Sequence, residues 1–281
     1  MTCGHTATEE FCAHCGEKRH QDHDISFLHL GAEALEAFFH LDSKLFLTLR
    51  TLTTKPGKLT EEFFFGRRKP YMTPLQVFLV CNLIFFFLQP LTGLEVLAPP
   101  LRSHTGNSYY GALATRLVDR QLAKNHISRS QEKEFLDYQA RFYRTAHVQA
   151  RSLVILMVPI FALVLALLFV FSRRYFMEHL IFALHFYSWW LLWVLAVLAS
   201  CSVLILSMRA SGHPLSGAVI DQIGVFLEVG GFAAYLCFAL RAYYKLRLVW
   251  AIPMAILLGF SGYYIMHLYR FVLFFTTLYS T

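Results

Sequence analysis

The chain is 281 residues long, 56% of them hydrophobic and 15% charged, with a mean hydropathy of +0.47. Soluble domains carry about a quarter charged residues, so this composition excludes one large water-soluble core and favours several membrane spans. The formal charge of +7 does not argue for nucleic acid, because the basic residues are spread over separate loops and not gathered on one face.

The six cysteines fall into two sets. Cys81, Cys201 and Cys237 each sit alone in an apolar run and read as small buried hydrophobes. Cys3, Cys12 and Cys15 cluster near the start. The first long apolar run begins near Leu75, so no signal peptide is expected and the N-terminus should stay in the reducing cytosol. In that compartment clustered cysteines point to metal and not to disulfides. Residues 1–20 therefore read as a small zinc-ribbon-like head. Cys12-x-x-Cys15-Gly16 is a knuckle turn whose two thiolates can share one tetrahedral ion. Cys3 supplies a third ligand. His5 or His14 fills the fourth place, or a cysteine just before Met1 does so in a longer chain. The bland alternative is a tail without metal.

Residues 21–73 read as a cytoplasmic and interfacial region. Over 24–54, Leu28, Leu35, Phe38, Phe39, Leu45, Phe46, Leu49 and Leu52 recur at helical steps. Glu33, Glu36, Asp42, Lys44 and Arg50 keep this amphipathic helix from spanning, so it should lie on the membrane or under the bundle. Lys55-Pro56-Gly57 breaks it, and a short helix from Leu59 to Phe65 follows. Then comes Gly66-Arg67-Arg68-Lys69-Pro70-Tyr71-Met72-Thr73-Pro74. Arg67, Arg68 and Lys69 suit anionic lipid head groups, and Tyr71 suits the interface.

Residues 74–281 read as an all-α transmembrane bundle of about five helices. The rule that about 20 apolar residues cross a bilayer gives spans near 74–92, 152–171, 180–207, 218–240 and 248–270. Pro159 and Pro253 predict local kinks. Arg67, Arg68 and Lys69, then Arg173 and Arg174, then Arg241, Lys245 and Arg247 all fall on one side, which the positive-inside rule makes the cytoplasm. The C-terminus is then external, as expected of a multi-pass protein of a bacterial inner membrane. The long external loop, 93–151, predicts two helices. One covers Tyr109 to Lys124; the other follows a Ser128-x-x-Gln131 capping box and runs into the second span. They would dock on the bundle mouth as a structural lid or bind a partner.

Charges inside a bilayer are costly and mark candidate sites. Glu228 lies mid-way along the fourth apolar run, with Asp221 two turns earlier on nearly the same face. Gly224, Gly230 and Gly231 allow close helix approach there. No Lys or Arg lies near Glu228 on its own helix, so a partner from another span would be His185 or Asn82. Glu178, His179 and His185 open the third span as a possible metal site or proton relay; the bland reading makes them interfacial anchors and an interhelical hydrogen bond. His267 and Arg270 read as interfacial and snorkelling. No Gly-rich phosphate loop, His-Glu-x-x-His or Gly-x-Ser-x-Gly occurs.

Several of these separated stretches resemble one family. Phe11-Cys12-Ala13-His14-Cys15-Gly16 resembles an FCxxCG knuckle, with Glu17 where Gln is usual. Cys3-Gly4 resembles the end of a first CxxCG that lacks its leading cysteine here. Thr48-Leu49-Arg50-Thr51-Leu52 with Pro56-Gly57, then Gly66 to Pro74, resemble TLxxL…PG…GKRxxYxxP. Glu178-His179 with Phe182-Ala183-Leu184-His185-Phe186 resembles EHxxFALHF. These are motifs of an uncharacterised group of bacterial multi-pass membrane proteins known only as a domain of unknown function. The resemblance implies this architecture and implies no activity.

Three functions compete. The first is a non-enzymatic membrane module: the zinc head recruits a cytosolic partner, and the bundle handles lipid or joins another membrane protein. The second is a proton-coupled transporter or channel using Glu228 and Asp221, although no inverted repeat is evident. The third is an intramembrane enzyme acting on lipid through Glu178 and His185. The lack of catalytic motifs ranks them in that order.

Overall fold

A computed structural model describes residues 43–128, 131–212 and 216–281. The chain divides into two units, Met1–Leu47 and Thr48–Thr281. In the first, residues 43–47 are described and are helical. The expected zinc head and most of the expected amphipathic helix lie outside the described residues. The second unit opens in helix over residues 48–54 (α1).

Among the described residues the fold is all helix. After α1 come α2 (Lys58–Phe64), α3 (Pro74–Leu88), α4 (Leu101–Thr105), α5 (Gly111–Lys124), α6 (Glu132–Leu153), α7 (Met157–Leu168), α8 (Phe176–Ala210), α9 (Gly217–Tyr244) and α10 (Leu248–Ser280). Five stretches are long and apolar enough to cross a membrane: Pro74–Thr92, Glu132–Leu168, Phe176–Ala210, Gln222–Tyr244 and Leu248–Ser280. The protein is thus an all-α polytopic membrane protein.

Local chemistry starts and stops these helices. Pro74 opens α3, where its missing N–H is no loss. The Thr73 N–H donates to Gln76 Oε1 at 3.1 Å, closing the N-terminal end. At α8 the Tyr175 N–H donates to Glu178 Oε1 at 3.2 Å in the same way. Helix α6 extends the second apolar run N-terminally by some 20 polar-faced residues, because Tyr138, Phe142, Ala146 and Ala150 form a buried stripe at helical spacing. A single 3-10 turn, Val154–Leu156, joins α6 to α7 one turn ahead of Pro159, which cannot donate to the Ile155 carbonyl. Pro253 sits inside α10, and the helix continues through it.

Helix α8 is the centre of the bundle, packed against α2, α3, α7 and α9. Its core is aromatic. Phe161 stacks on Phe186 with ring centres 5.0 Å apart, and Trp189 stacks on Tyr235 at 3.8 Å. Aromatic pairs of this kind add to the stabilisation that burial gives.

A second buried cluster gathers Leu101, Ala114, Val118 and Leu122 with Tyr138 and Phe142 of α6 and Phe274 and Leu278 of α10. The 93–151 segment therefore holds three helices where the sequence predicts two. The additional one, α4, is a single turn set off by Pro100 in extended conformation, and its five residues are too few for a periodic signal.

Candidate functional site

The end of the bundle that carries the basic turn is where most sequence-predicted polar residues come together with partners. The α7–α8 and α9–α10 connections both reach it. Phe169 stacks on Tyr244 with centres 4.2 Å apart, and Lys245 Nζ lies 2.5 Å from Glu61 Oε1.

Helix α2 is short but heavily tethered. Glu62 is 6% exposed and meets Lys58 Nζ at 2.9 Å, with Arg67 Nη1 at 3.6 Å. Glu61 takes Lys245 and Lys58. The Lys245 hydrogen bond, then that of Lys58, holds the Glu61 carboxyl below the usual carboxylate range. Bonds to Glu62 and then Glu61 hold the Lys58 amine above its ordinary value. These tethers are intact at neutral pH and weaken as pH falls through the range where Glu61 protonates.

Glu178, His179 and His185 each go to a different partner. Glu178 Oε2 accepts from Arg174 Nη1 at 2.6 Å and from Tyr243 O–H at 2.8 Å. The Arg174 guanidinium also lies over the Tyr243 ring at 4.6 Å. His179 Nδ1 pairs with Tyr244 O–H at 2.7 Å. His185 is buried and its Nδ1 pairs with Thr60 Oγ1 at 2.9 Å, across 125 residues of chain. Among the described residues no three His, Cys, Asp or Glu side chains converge as metal ligands.

Between α2, the basic turn and α8 lies a groove of about 360 Å³. Met177, Leu180, Ile181 and Leu184 form one wall, a single face of α8 at helical spacing. Leu59 and Phe63 of α2 form another, and Tyr71 to Leu75 a third. His185 lies in the lining, and Arg67 and Arg68 are its cations. Both arginines are exposed. Arg68 Nε donates to the Phe63 carbonyl at 2.9 Å and its guanidinium lies 4.2 Å over the Phe63 ring, which fixes its direction. Its Nη groups bond no protein acceptor among the described residues. Lys69 is exposed and outside the lining.

Glu228 is partly buried on α9. Contrary to the sequence expectation of a histidine or asparagine partner, the cation whose charge reaches it is Arg270 of α10, together with the Trp190 side chain. Asn82 and His185 are engaged elsewhere, with the Arg151 carbonyl and Thr60. Arg270 is partly buried, and its Nη2 donates to the Val96 carbonyl at 3.0 Å. Asp221 lies on α9, and its side chain is outside the described residues. Of the three glycines, Gly231 is the one that close packing requires. A Cβ there would overlap the Trp193 indole, whose Nε1 donates to the Leu227 carbonyl at 3.2 Å.

Sequence reasoning missed a further polar cluster. Glu95 Oε1 accepts the Tyr143 O–H at 2.6 Å and lies 3.2 Å from His147 Nε2. Burial pushes the Glu95 carboxyl up, and the His147 and Tyr143 contacts more than reverse it, leaving it low. Nothing local signals this cluster, since the partners are about 50 residues apart. The Tyr143–His147 spacing alone is common on helices.

Residues 42–86 match a family model described as Protein of unknown function (DUF3667). The match takes in α1, α2, the basic turn and most of α3, hence two of the three walls of the groove. No curated protein and no solved structure matches the chain.

Proposed function

We propose that this protein is a non-enzymatic membrane module that holds an anionic lipid at the groove between α2, the basic turn and α8. The observation that carries the reading is the groove's composition. Its walls are apolar, and its two cations are exposed guanidiniums, one pre-oriented on Phe63. Phosphate-bearing head groups match such guanidiniums by charge and by bidentate geometry. The acyl chains then lie against the Met177–Leu184 face. Lys69 adds a third cation at the membrane surface.

In this reading the basic end faces the cytoplasm of a bacterial inner membrane and Thr281 is external, as the short-loop cations argue. The head binds one structural zinc through Cys3, Cys12 and Cys15 with His5 or His14, and recruits a cytosolic or membrane protein partner. Metal analysis of wild type against Cys12→Ser/Cys15→Ser tests the head, and equal zinc in both overturns it. A reporter fused after Thr281 tests the orientation, and a cytoplasmic signal overturns that.

The lipid reading is tested by native mass spectrometry of the full chain, titrated with phosphatidylglycerol and with phosphatidylcholine of matched chains. Wild type should prefer phosphatidylglycerol. Arg67→Gln/Arg68→Gln should lose about ten-fold or more in that preference, the scale of one charge-assisted hydrogen bond. A variant with wild-type preference would remove the basis of the assignment.

A further inference from the structure

Outside the basic turn, the groove between α2 and α8 has a single polar side chain in its lining among the described residues. Its walls there are Leu, Ile, Met and Phe, and His185 is the exception. His185 is 5% exposed and belongs to the floor of the groove, whereas Arg67 and Arg68 are exposed. The arginines account for a phosphate. They leave the histidine without a role.

The bonding around this imidazole fixes which nitrogen carries the proton. Thr60 is 1% exposed, and its hydroxyl makes one bond among the described residues, to His185 Nδ1 at 2.9 Å. Thr53 and Thr54 instead turn their hydroxyls to carbonyls four residues back. With no such carbonyl bond, the Thr60 hydroxyl proton has the Nδ1 lone pair as its acceptor. That assigns the ring N–H to Nε2, because a neutral imidazole has one donor and one acceptor nitrogen. Nε2 bonds no protein group among the described residues and keeps accessible surface. A nearly buried N–H without an acceptor is costly. The groove therefore presents one hydrogen-bond donor between apolar walls.

We propose that the lipid held in this groove is an ester-linked glycerophospholipid, and that His185 Nε2–H donates to one of its ester carbonyls. The assignment rests on the placement of the head group at Arg67 and Arg68 and deepens it. With the phosphate at the arginines and the chains against the Met177–Leu184 face, His185 adjoins the chain side of the lipid. The ester carbonyls are the strong acceptors that a diacyl lipid carries there. A dialkyl ether lipid has the same phosphate and chains and lacks those carbonyls. The arginines then select charge, and His185 selects linkage.

The test titrates the full chain in detergent with diacyl phosphatidylglycerol and with its dialkyl ether counterpart of matched chains, read by native mass spectrometry. Wild type should bind the diacyl form about five-fold more tightly, the scale of one neutral hydrogen bond. Thr60→Val/His185→Phe removes donor and partner together, so neither is left orphaned. Thermal unfolding checks that this variant is folded. It should bind both linkages alike and keep the wild-type preference for phosphatidylglycerol over phosphatidylcholine. Arg67→Gln/Arg68→Gln should do the reverse, losing the head-group preference and keeping the ester preference, which separates failure of one assignment from failure of the other. Equal binding of the two linkages by wild type overturns the role of His185, whatever the variants do. So does an ester preference that survives in folded Thr60→Val/His185→Phe.

Discussion

Acidification from pH 7 to pH 4.5 should destabilise the cluster built by α4, α5, α6 and the end of α10, and His104→Gln should remove most of that sensitivity. His104 is 1% exposed. Its Nδ1 pairs with Tyr110 O–H at 2.9 Å. Its ring lies among Tyr110, Phe142 and Phe274, the last with centres 5.2 Å apart. Burial pushes this imidazole down to about 4, the Arg270 charge pushes the same way, and the Pro99 carbonyl opposes weakly. An unfolded histidine titrates near 6.5. Between those two values the unfolded state binds more protons, so stability rises with pH across the window. The contribution is fully present above about pH 6.5 and is lost as pH falls towards 4. The shift corresponds to at most about 3 kcal/mol. Glutamine keeps a donor and an acceptor but does not titrate. Thermal unfolding in detergent at several pH values, with hydrogen exchange read on α4 to α6, measures the difference. A variant with the same pH slope as wild type would show that another group sets it.

Gly57→Ala should cost about 3 kcal/mol, while Gly230→Ala should cost nothing or stabilise slightly. Gly57 caps α2 with φ of 79°, in the left-handed region. An L-residue there loses about 1–2 kcal/mol. Its new Cβ would also stand 2.8 Å from the Ala239 carbonyl oxygen of α9. That neighbour is backbone inside a helix and has no rotamer by which to move aside. Overpacking of this kind costs about 1–3 kcal/mol more. Gly230 has nothing within 4 Å of the corresponding Cβ position, and alanine is the better helix former by up to about 1 kcal/mol. Denaturant or thermal unfolding of both variants in one detergent decides it. Equal stabilities would mean that α2 does not press on α9 as the structure has it.

The sequence by itself determined what depends on solvent preference and on neighbours within a turn or two. Apolar runs long enough to cross a bilayer were legible, because every helix there must satisfy its own backbone and expose apolar side chains. So were the break at Pro56-Gly57 and the extension of the second span into a polar-faced helix. The tertiary structure alone decided which polar groups meet. Glu178 and His185 share a helix face and invite a joint role, yet one takes Arg174 and Tyr243 and the other takes Thr60. The first of these contacts is local; the others join residues 65 and 125 positions apart, and no spacing rule reaches that far. Arg270 likewise carries no local sign that its charge reaches Glu228 and His104, because those residues come from two other elements. The groove is of the same kind. It is a space left between helices, and its shape follows from how side chains pack once the chain is assembled.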